Sequence, residues 1–230
     1  MEILPNFPKI ECPFVRKTFK VDKEDWKKYG RELQLRAPEV YLVVDEVNPG
    51  YEWVFEDKDV IASEKLDGTN VILKTDNGRL VSLMNRKNPI DPLQIMKGKT
   101  FIIEGVFRAI QKGYVKEDGI QAGELIGPKV QGNPYQLDNH IWYPFEKAVK
   151  HLSYRSFYEH ERTFDNWSSW FKDYLVSRFA SKRGCKDIVA EGIVFYSMKR
   201  KEEGKVYRAK LRRDMFDWYY SKKIRILGDK

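Results

Sequence analysis

Cysteine and histidine are scarce in this chain. Among 230 residues there are two cysteines, Cys12 and Cys185, and three histidines, His140, His151 and His160. The cysteines lie far apart and form no CxxC or zinc spacing, which argues against a zinc module or a dithiol redox motif. So few thiols are expected of a protein in a reducing, intracellular setting. The histidines are scattered and no paired-carboxylate cluster stands out, which argues against a nuclease. Long apolar runs are absent as well: none could span a membrane, and Met1 opens no signal-peptide pattern. Neither an internal repeat nor a low-complexity stretch is present.

Aromatic residues, in contrast, are plentiful. Thirteen Tyr, 13 Phe and 6 Trp supply a sizeable core, and the length suits one large domain or one domain with a small appendage. Lys and Arg total 42 against 34 Asp and Glu, a formal charge of +8, with a pI near 9.2. That excess suits a polyanionic partner such as RNA or DNA, although a well-solvated surface carries it equally well.

The pattern of apolar residues divides the chain. Residues 1–50, with several prolines and the charged patch Lys20 to Lys28, read as a lead-in wrapped on a main body at 51–215. From Val60 to about Asn85 the pattern predicts two strands, with Asp76-Asn77-Gly78 as a tight turn. A helix is predicted from Thr100 to Lys112 on the spacing of Phe101, Ile102, Val106 and Ile110. Strands follow at Gly119 to Ile126 and Trp142 to Phe145, then a mostly helical insert around 147–187. Glu191 to Met198 and Val206 to Leu211 read as an antiparallel hairpin joined by the charged turn Lys199 to Lys205. Residues 216–230 read as a short C-terminal tail. The expected class is α+β on antiparallel sheets with flanking helices.

Within this frame the string Glu64-Lys65-Leu66-Asp67-Gly68-Thr69-Asn70 carries the sharpest chemical signal. It sets a lysine in a polar turn between the apolar runs Val60-Ile61-Ala62 and Val71-Ile72-Leu73. Such a lysine is placed to act as an attacking amine, provided that its surroundings favour the neutral form. The competing reading is a solvated lysine in a hairpin loop, since so short a motif recurs by accident.

Four further strings follow in order: Met84-Asn85-Arg86-Lys87, Gly123-Glu124-Leu125-Ile126-Gly127-Pro128 with Val130-Gln131-Gly132-Asn133, Glu191-Gly192-Ile193-Val194, and Ala209-Lys210-Leu211-Arg212-Arg213-Asp214. With the Lys65 string, this series resembles the covalent nucleotidyltransferase superfamily of ligases and capping enzymes, and within it the ATP-dependent RNA ligases of the phage type. The matching strings span residues 60 to 214. The resemblance implies an ATP-grasp-like ligase domain and a reaction in three steps. Lys65 attacks the α-phosphate of ATP to give lysyl-AMP, AMP passes to the 5′-phosphate of a nucleic acid, and a 3′-hydroxyl displaces it.

By the same resemblance Lys210 is the cation at the α-phosphate; the alternative is an outward-facing lysine on a basic hairpin. Arg212 stands where the family commonly has a second lysine. It can clamp phosphate oxygens but cannot shuttle a proton. Glu191 would organise Mg²⁺ or Mn²⁺, or else be an ordinary charge at a strand entrance. Glu124 would accept hydrogen bonds from ribose hydroxyls, or pair with a lysine. Phe145 is the candidate face for adenine, with Trp142 and Tyr143 as substitutes and core packing as the competitor. Arg86 would reach the ribose or the incoming 3′ end. Asp67, Gly68, Thr69 and Asn70 would line the nucleotide pocket, and Glu64 would accept from the adenine amino group or be a strand-end charge.

Candidate phosphate contacts for the RNA are the Arg178 to Lys186 cluster, the Lys199 to Lys205 turn, the Arg208 to Arg213 strand and Lys222-Lys223. Trp167, Trp170 and Phe171 read as core of the insert. Beyond Arg213 the chain offers no room for the OB-fold common in DNA ligases and capping enzymes, so an accessory protein or the insert itself would hold the RNA. The alternatives are a DNA ligase or GTP-using capping enzyme, or a degenerate ligase fold that binds RNA without catalysis.

Overall fold

A computed structural model describes residues 3–4, 9–94, 98–201 and 207–229. Its strands and helices run in the order β1 (Phe14–Val21), α1 (Lys23–Tyr29), β2 (Glu39–Val47), α2 (Trp53–Glu56), β3 (Val60–Lys65), β4 (Thr69–Asp76), β5 (Arg79–Asn85), β6 (Asn88–Pro89), α3 (Thr100–Gln111), β7 (Gly119–Ile126), β8 (Ile141–Pro144), α4 (Phe145–His151), α5 (Phe164–Asp173), α6 (Arg178–Ser181), β9 (Gly192–Ser197), β10 (Arg208–Arg212) and β11 (Ile226–Asp229). Every pairing between these strands is antiparallel, with one isolated parallel bridge from Glu11 to Ala209, in keeping with the expected α+β class.

Two compact units emerge. One comprises Met1–Lys9, Leu66–Ser153 and Val176–Ala190; the other comprises Ile10–Lys65, Tyr154–Leu175 and Glu191–Lys230. The first is built on a five-stranded sheet of order β6-β5-β4-β7-β8. Its main core gathers Val71, Leu73, Leu83, Leu125 and Trp142 from the sheet with Ile102, Val106 and Ala109 from α3. These α3 positions share a helix face, as the sequence spacing requires. A second cluster packs α4 and α6 together through Ala148, Leu152, Phe179 and Ala180. Gly123 is a structural necessity here. A β-carbon on it would come within 2.7 Å of Trp142 Cε2 and 2.4 Å of the Tyr143 carbonyl oxygen. The bare glycine lets the Trp142 indole reach Val71, to whose carbonyl oxygen it donates at 3.0 Å.

In the second unit a three-stranded sheet of order β10-β9-β3 and another of order β11-β1-β2 enclose an aromatic core. Trp167 of α5 stacks on Phe55 and on Phe195 of β9, and Phe157 packs edge-on to Trp170. Trp167, Trp170 and Phe171 are buried, as the sequence reading expects.

Several expectations change. The span from Val60 to Asn85 holds three strands, because the Lys65–Gly68 string breaks the apolar run while Asn77 and Gly78, both at positive φ, turn β4 into β5. Residues 1–50 hold β1, α1 and β2, and the C-terminal stretch holds β11. β1 pairs with β2 on one side and with β11 on the other, a long-range arrangement without local signature. The helical stretch is divided between the units rather than forming one insert. Phe145 starts helix α4 rather than ending a strand, since Pro144 is its N-cap and proline suits the entry to a helix. Val206 and residues 202–205 of the charged turn lie outside the described residues.

Candidate active site

Strand alternation sorts the β10-β9-β3 sheet into two faces. The register places Lys65 beside Gly192 and Gly192 beside Arg212; two residues along, Ser63, Val194 and Lys210 lie abreast. Lys65, Lys210 and Arg212 therefore share one face. The intervening row of Glu64, Ile193 and Leu211 belongs to the opposite, apolar face with Phe195. Glu64 is buried there at 3% exposure, on the side of the strand away from Lys65.

Glu191 precedes β9 by one residue. Its Oε2 accepts from Lys65 Nζ at 2.6 Å, and its Oε1 lies 3.6 Å from Arg212 Nη1. Arg212 Nη2 in turn stands 3.1 Å from Asp214 Oδ2. Four charged groups thus alternate in sign: Lys65, Glu191, Arg212, Asp214. Gly192 permits this approach, because a β-carbon there would lie 2.2 Å from the Leu211 carbonyl oxygen and 2.8 Å from Arg212 Cα. Lys210 is anchored through its backbone N–H, which donates to the Glu11 carbonyl at 2.8 Å.

Electrostatics follow from burial and this crowding. Lys210 is held below the usual lysine range, first by burial and then by the Lys65 and Arg212 charges. Burial raises the Asp214 carboxyl against the opposing pull of Arg212. Arg16 of β1 is shifted down by burial and feels the Arg212 charge. Burial pushes the Cys12 thiol up to about 11, which rules it out as a ready nucleophile. Ser63 Oγ, Arg212 Nε and Asp214 Oδ1 are buried without a hydrogen-bond partner. Arg16 Nε, Asn70 Oδ1, the Tyr158 hydroxyl and Trp167 Nε1 are in the same condition.

The other predicted residues lie in the first unit. Thr69 and Asn70 open β4, where Asn70 pairs with Glu124 of β7. Gly68 fits tightly against β7: a β-carbon on it would lie 2.4 Å from the Leu125 carbonyl oxygen. The Asp67 N–H donates to the Tyr135 hydroxyl at 2.8 Å. Arg86 follows β5 at φ +56°, and its N–H donates to the Asn70 carbonyl at 3.1 Å. Gln34, Asn77, Gln131, Asn133 and Gln136 share that left-handed backbone. Phe145 is half-buried at the start of α4. Trp142 and Tyr143, the substitutes for it, are buried in core clusters and offer no face to a base.

Sequence reasoning misses Tyr135, Arg16 and Asp214 as site residues. Asp214 is the acid that closes the Lys210 string, a signal that is present but unused. Tyr135 sits two residues beyond the Gly132-Asn133 turn with nothing to single it out, and Arg16 is one basic residue among many.

A divalent metal fits the donor set. Mg²⁺ is usually held by one or two carboxylates while the remaining positions go to water and phosphate, and Glu191 would supply one on leaving its contact with Lys65. No group of three or more His, Cys, Asp or Glu suited to an all-protein metal site stands among the described residues. No described helix is long and apolar enough to cross a membrane.

These arrangements belong to a known class. The model of the RNA ligase family matches residues 58–212, well over half of the chain, and the chain belongs to that family. A comparison with curated proteins returned no match. Among solved structures, a mutant Naegleria gruberi RNA ligase with ATP and Mn aligns at 16% identity and a TM-score of 0.45, covering 74% of this chain and 54% of that one. The same organism's RNA ligase with PPi aligns at 15% identity and a TM-score of 0.42 over the same shares. An apo mutant of it aligns at 13% identity and a TM-score of 0.41, over 94% of this chain and 63% of that one. The chain thus spans between 54% and 63% of the length of these structures.

Proposed function

We propose that the protein is an ATP-dependent RNA ligase that joins 5′-phosphate and 3′-hydroxyl RNA ends through lysyl-AMP. The observation that carries this reading is the placement of Lys65 at the end of β3, with Glu191 at 2.6 Å and Lys210 and Arg212 on the same sheet face. In the first step the Lys65 amine, having lost its proton, forms a bond to the α-phosphorus. The bridging bond to the β-phosphate breaks and pyrophosphate leaves. In the second step the RNA 5′-phosphate takes the adenylyl group from Lys65, and in the third the 3′-hydroxyl displaces AMP.

Such steps depend on alignment and on fixed charges opposite the phosphate oxygens. Lys210 supplies an ammonium and Arg212 a guanidinium whose direction is set by Glu191 and Asp214. The ion pair of Lys65 with Glu191 must open before the amine can attack. Glu191 would hold Mg²⁺ or Mn²⁺, which supplies further charge neutralisation at the phosphate. For recognition of the nucleotide we assign Glu124 to the ribose hydroxyls, Phe145 to the adenine face and Arg86 to the ribose or the 3′ end. Asp67, Gly68, Thr69 and Asn70 line the pocket. Glu64 enters through its backbone, since its side chain lies on the apolar face.

The test is incubation with Mg²⁺ and ATP labelled at the α-phosphate beside a Lys65→Ala control. Acid-labile label on the wild-type chain only is expected. Folded protein that takes no label, with Mn²⁺ also tried, would overturn the reading, and label from GTP alone would redirect it to capping.

A further inference from the structure

In the first unit the short helices α4 and α6 bury their apolar sides in one core cluster, which takes in Ala148 and Leu152 from α4 and its end, Phe179 and Ala180 from α6, and Tyr135 and Tyr143. Their exposed residues, with the segment that follows α6, are mostly basic, Glu146 and Asp187 being the exposed acids. Lys150, Arg178, Lys182 and Lys186 are exposed, and none of them makes an ion pair among the described residues. The nearest acid on α4, Glu146, is engaged by Lys116 at 2.5 Å.

The two helices bring these charges within range of one another. The imidazole of His151 at the end of α4 is held below the usual histidine range first by burial and then by Lys147 and Lys150 of its own helix and Lys182 at the end of α6. Arg178 and Lys182, four residues apart on α6, are a like-charge pair that repels. A protein gains nothing for its own stability from such a face, whereas a polyanion laid across it would relieve the repulsion and release counterions.

A second observation ties this face to the nucleotide motifs. Arg183, next to Lys182, donates from Nη1 to the Tyr135 carbonyl oxygen at 2.9 Å. The Tyr135 hydroxyl accepts from the N–H of Asp67 at 2.8 Å. Tyr135 therefore bridges the basic face and the segment that follows Lys65.

We propose that the α4–α6 face, centred on Lys150, Arg178, Lys182 and Lys186, is the docking surface for the phosphate backbone of the RNA substrate. The inference rests on the ligase reading above for the identity of its ligand. It specifies contacts to backbone phosphates and none to base edges, so it predicts salt-sensitive binding with little sequence preference.

The test compares wild type with a quadruple variant, Lys150→Ala, Arg178→Ala, Lys182→Ala and Lys186→Ala. Binding of a fluorescent 5′-phosphorylated single-stranded RNA is measured by anisotropy over a series of KCl concentrations. The variant is expected to bind at least about tenfold more weakly, with a salt slope shallower by about 0.7 for each phosphate that the removed cations neutralise in wild type. Its melting temperature, compared with that of wild type, establishes that it is folded. Unchanged affinity and slope in the folded variant would overturn the proposal, as would a wild type that does not bind RNA. Labelling with ATP needs no RNA and is run on the same preparations. A wild type that labels while the variant keeps its full RNA affinity sinks the surface alone; a wild type that binds RNA through this face but never labels sinks the ligase reading alone.

Discussion

Lys65 Nζ and Glu191 Oε2 stand 2.6 Å apart although 126 positions separate them in the chain. The pairing of β3 with β9 brings them together by setting Lys65 against Gly192. The Lys65 ammonium is therefore held by a carboxylate in this fold, and on the ligase reading proposed above that contact must open for the amine to attack. Lys65→Arg keeps the charge, but a guanidinium stays protonated. It should form no adduct with labelled ATP while the protein melts close to wild type. Glu191→Gln should slow labelling by about 10²-fold or more, on the scale of losing one group that stabilises developing charge. Normal labelling of either variant would separate this pair from the chemistry.

Lys210 gives a pH signature. Its ammonium is disfavoured in the fold, chiefly by burial, so its folded pKa lies below the unfolded value of 10.5. The sign follows from linkage: the full penalty applies below the folded pKa and shrinks as pH rises from there toward 10.5. Lys210→Met should therefore be more stable than wild type near neutral pH, with the advantage fading toward alkaline pH, and should fail to label. Urea unfolding of both proteins across pH checks this. A pH-independent difference would contradict it.

Gly192→Ala places a methyl group 2.2 Å from the Leu211 carbonyl oxygen. The obstacle is backbone within the β9–β10 pair, so the strands must part. A loss of about 2–3 kcal/mol is expected in denaturant unfolding, together with reduced labelling, because the same step carries Glu191 and Arg212. A wild-type midpoint would show that the sheet relaxes without cost.

Trp142→Phe removes the indole N–H that donates to Val71 and leaves a buried carbonyl without that partner. The expected cost is about 1–3 kcal/mol, read as a lower melting temperature. RNA affinity should be unaffected, since Trp142 is core and not a stacking surface.

Tyr135→Phe deletes the hydroxyl that accepts from the Asp67 N–H. Misplacing the segment that follows the nucleophile should slow labelling by about tenfold, with a small change in melting temperature. Labelling at the wild-type rate would confine Tyr135 to packing.

Local patterns were legible without a structure. The apolar spacing in Thr100 to Lys112 foretells α3, Asn77 and Gly78 foretell the turn from β4 into β5, and the stretch Gly119 to Ile126 foretells β7. Each rests on neighbours in sequence, where periodicity and turn chemistry act. Lys65, Glu191, Lys210 and Arg212 could be named as candidates because they stand in short strings whose order is informative, and the strand register brings them together.

Tertiary structure alone decided the rest. That β11 completes a sheet with β1 depends on pairing residues about 200 positions apart, for which no local preference exists. Glu64 falls on the apolar face while Lys65 falls on the polar one because a strand reverses its side chains at every residue, and burial chooses which row faces inward. Phe145 leaves the strand for a helix because Pro144 caps it. Arg16 and Tyr135 acquire their neighbours only when distant segments meet, as do the cations of α4 and α6. The sequence by itself determined which chemical groups this protein owns; packing determined which of them share a surface, since contact between remote residues follows from burying the core and not from their spacing.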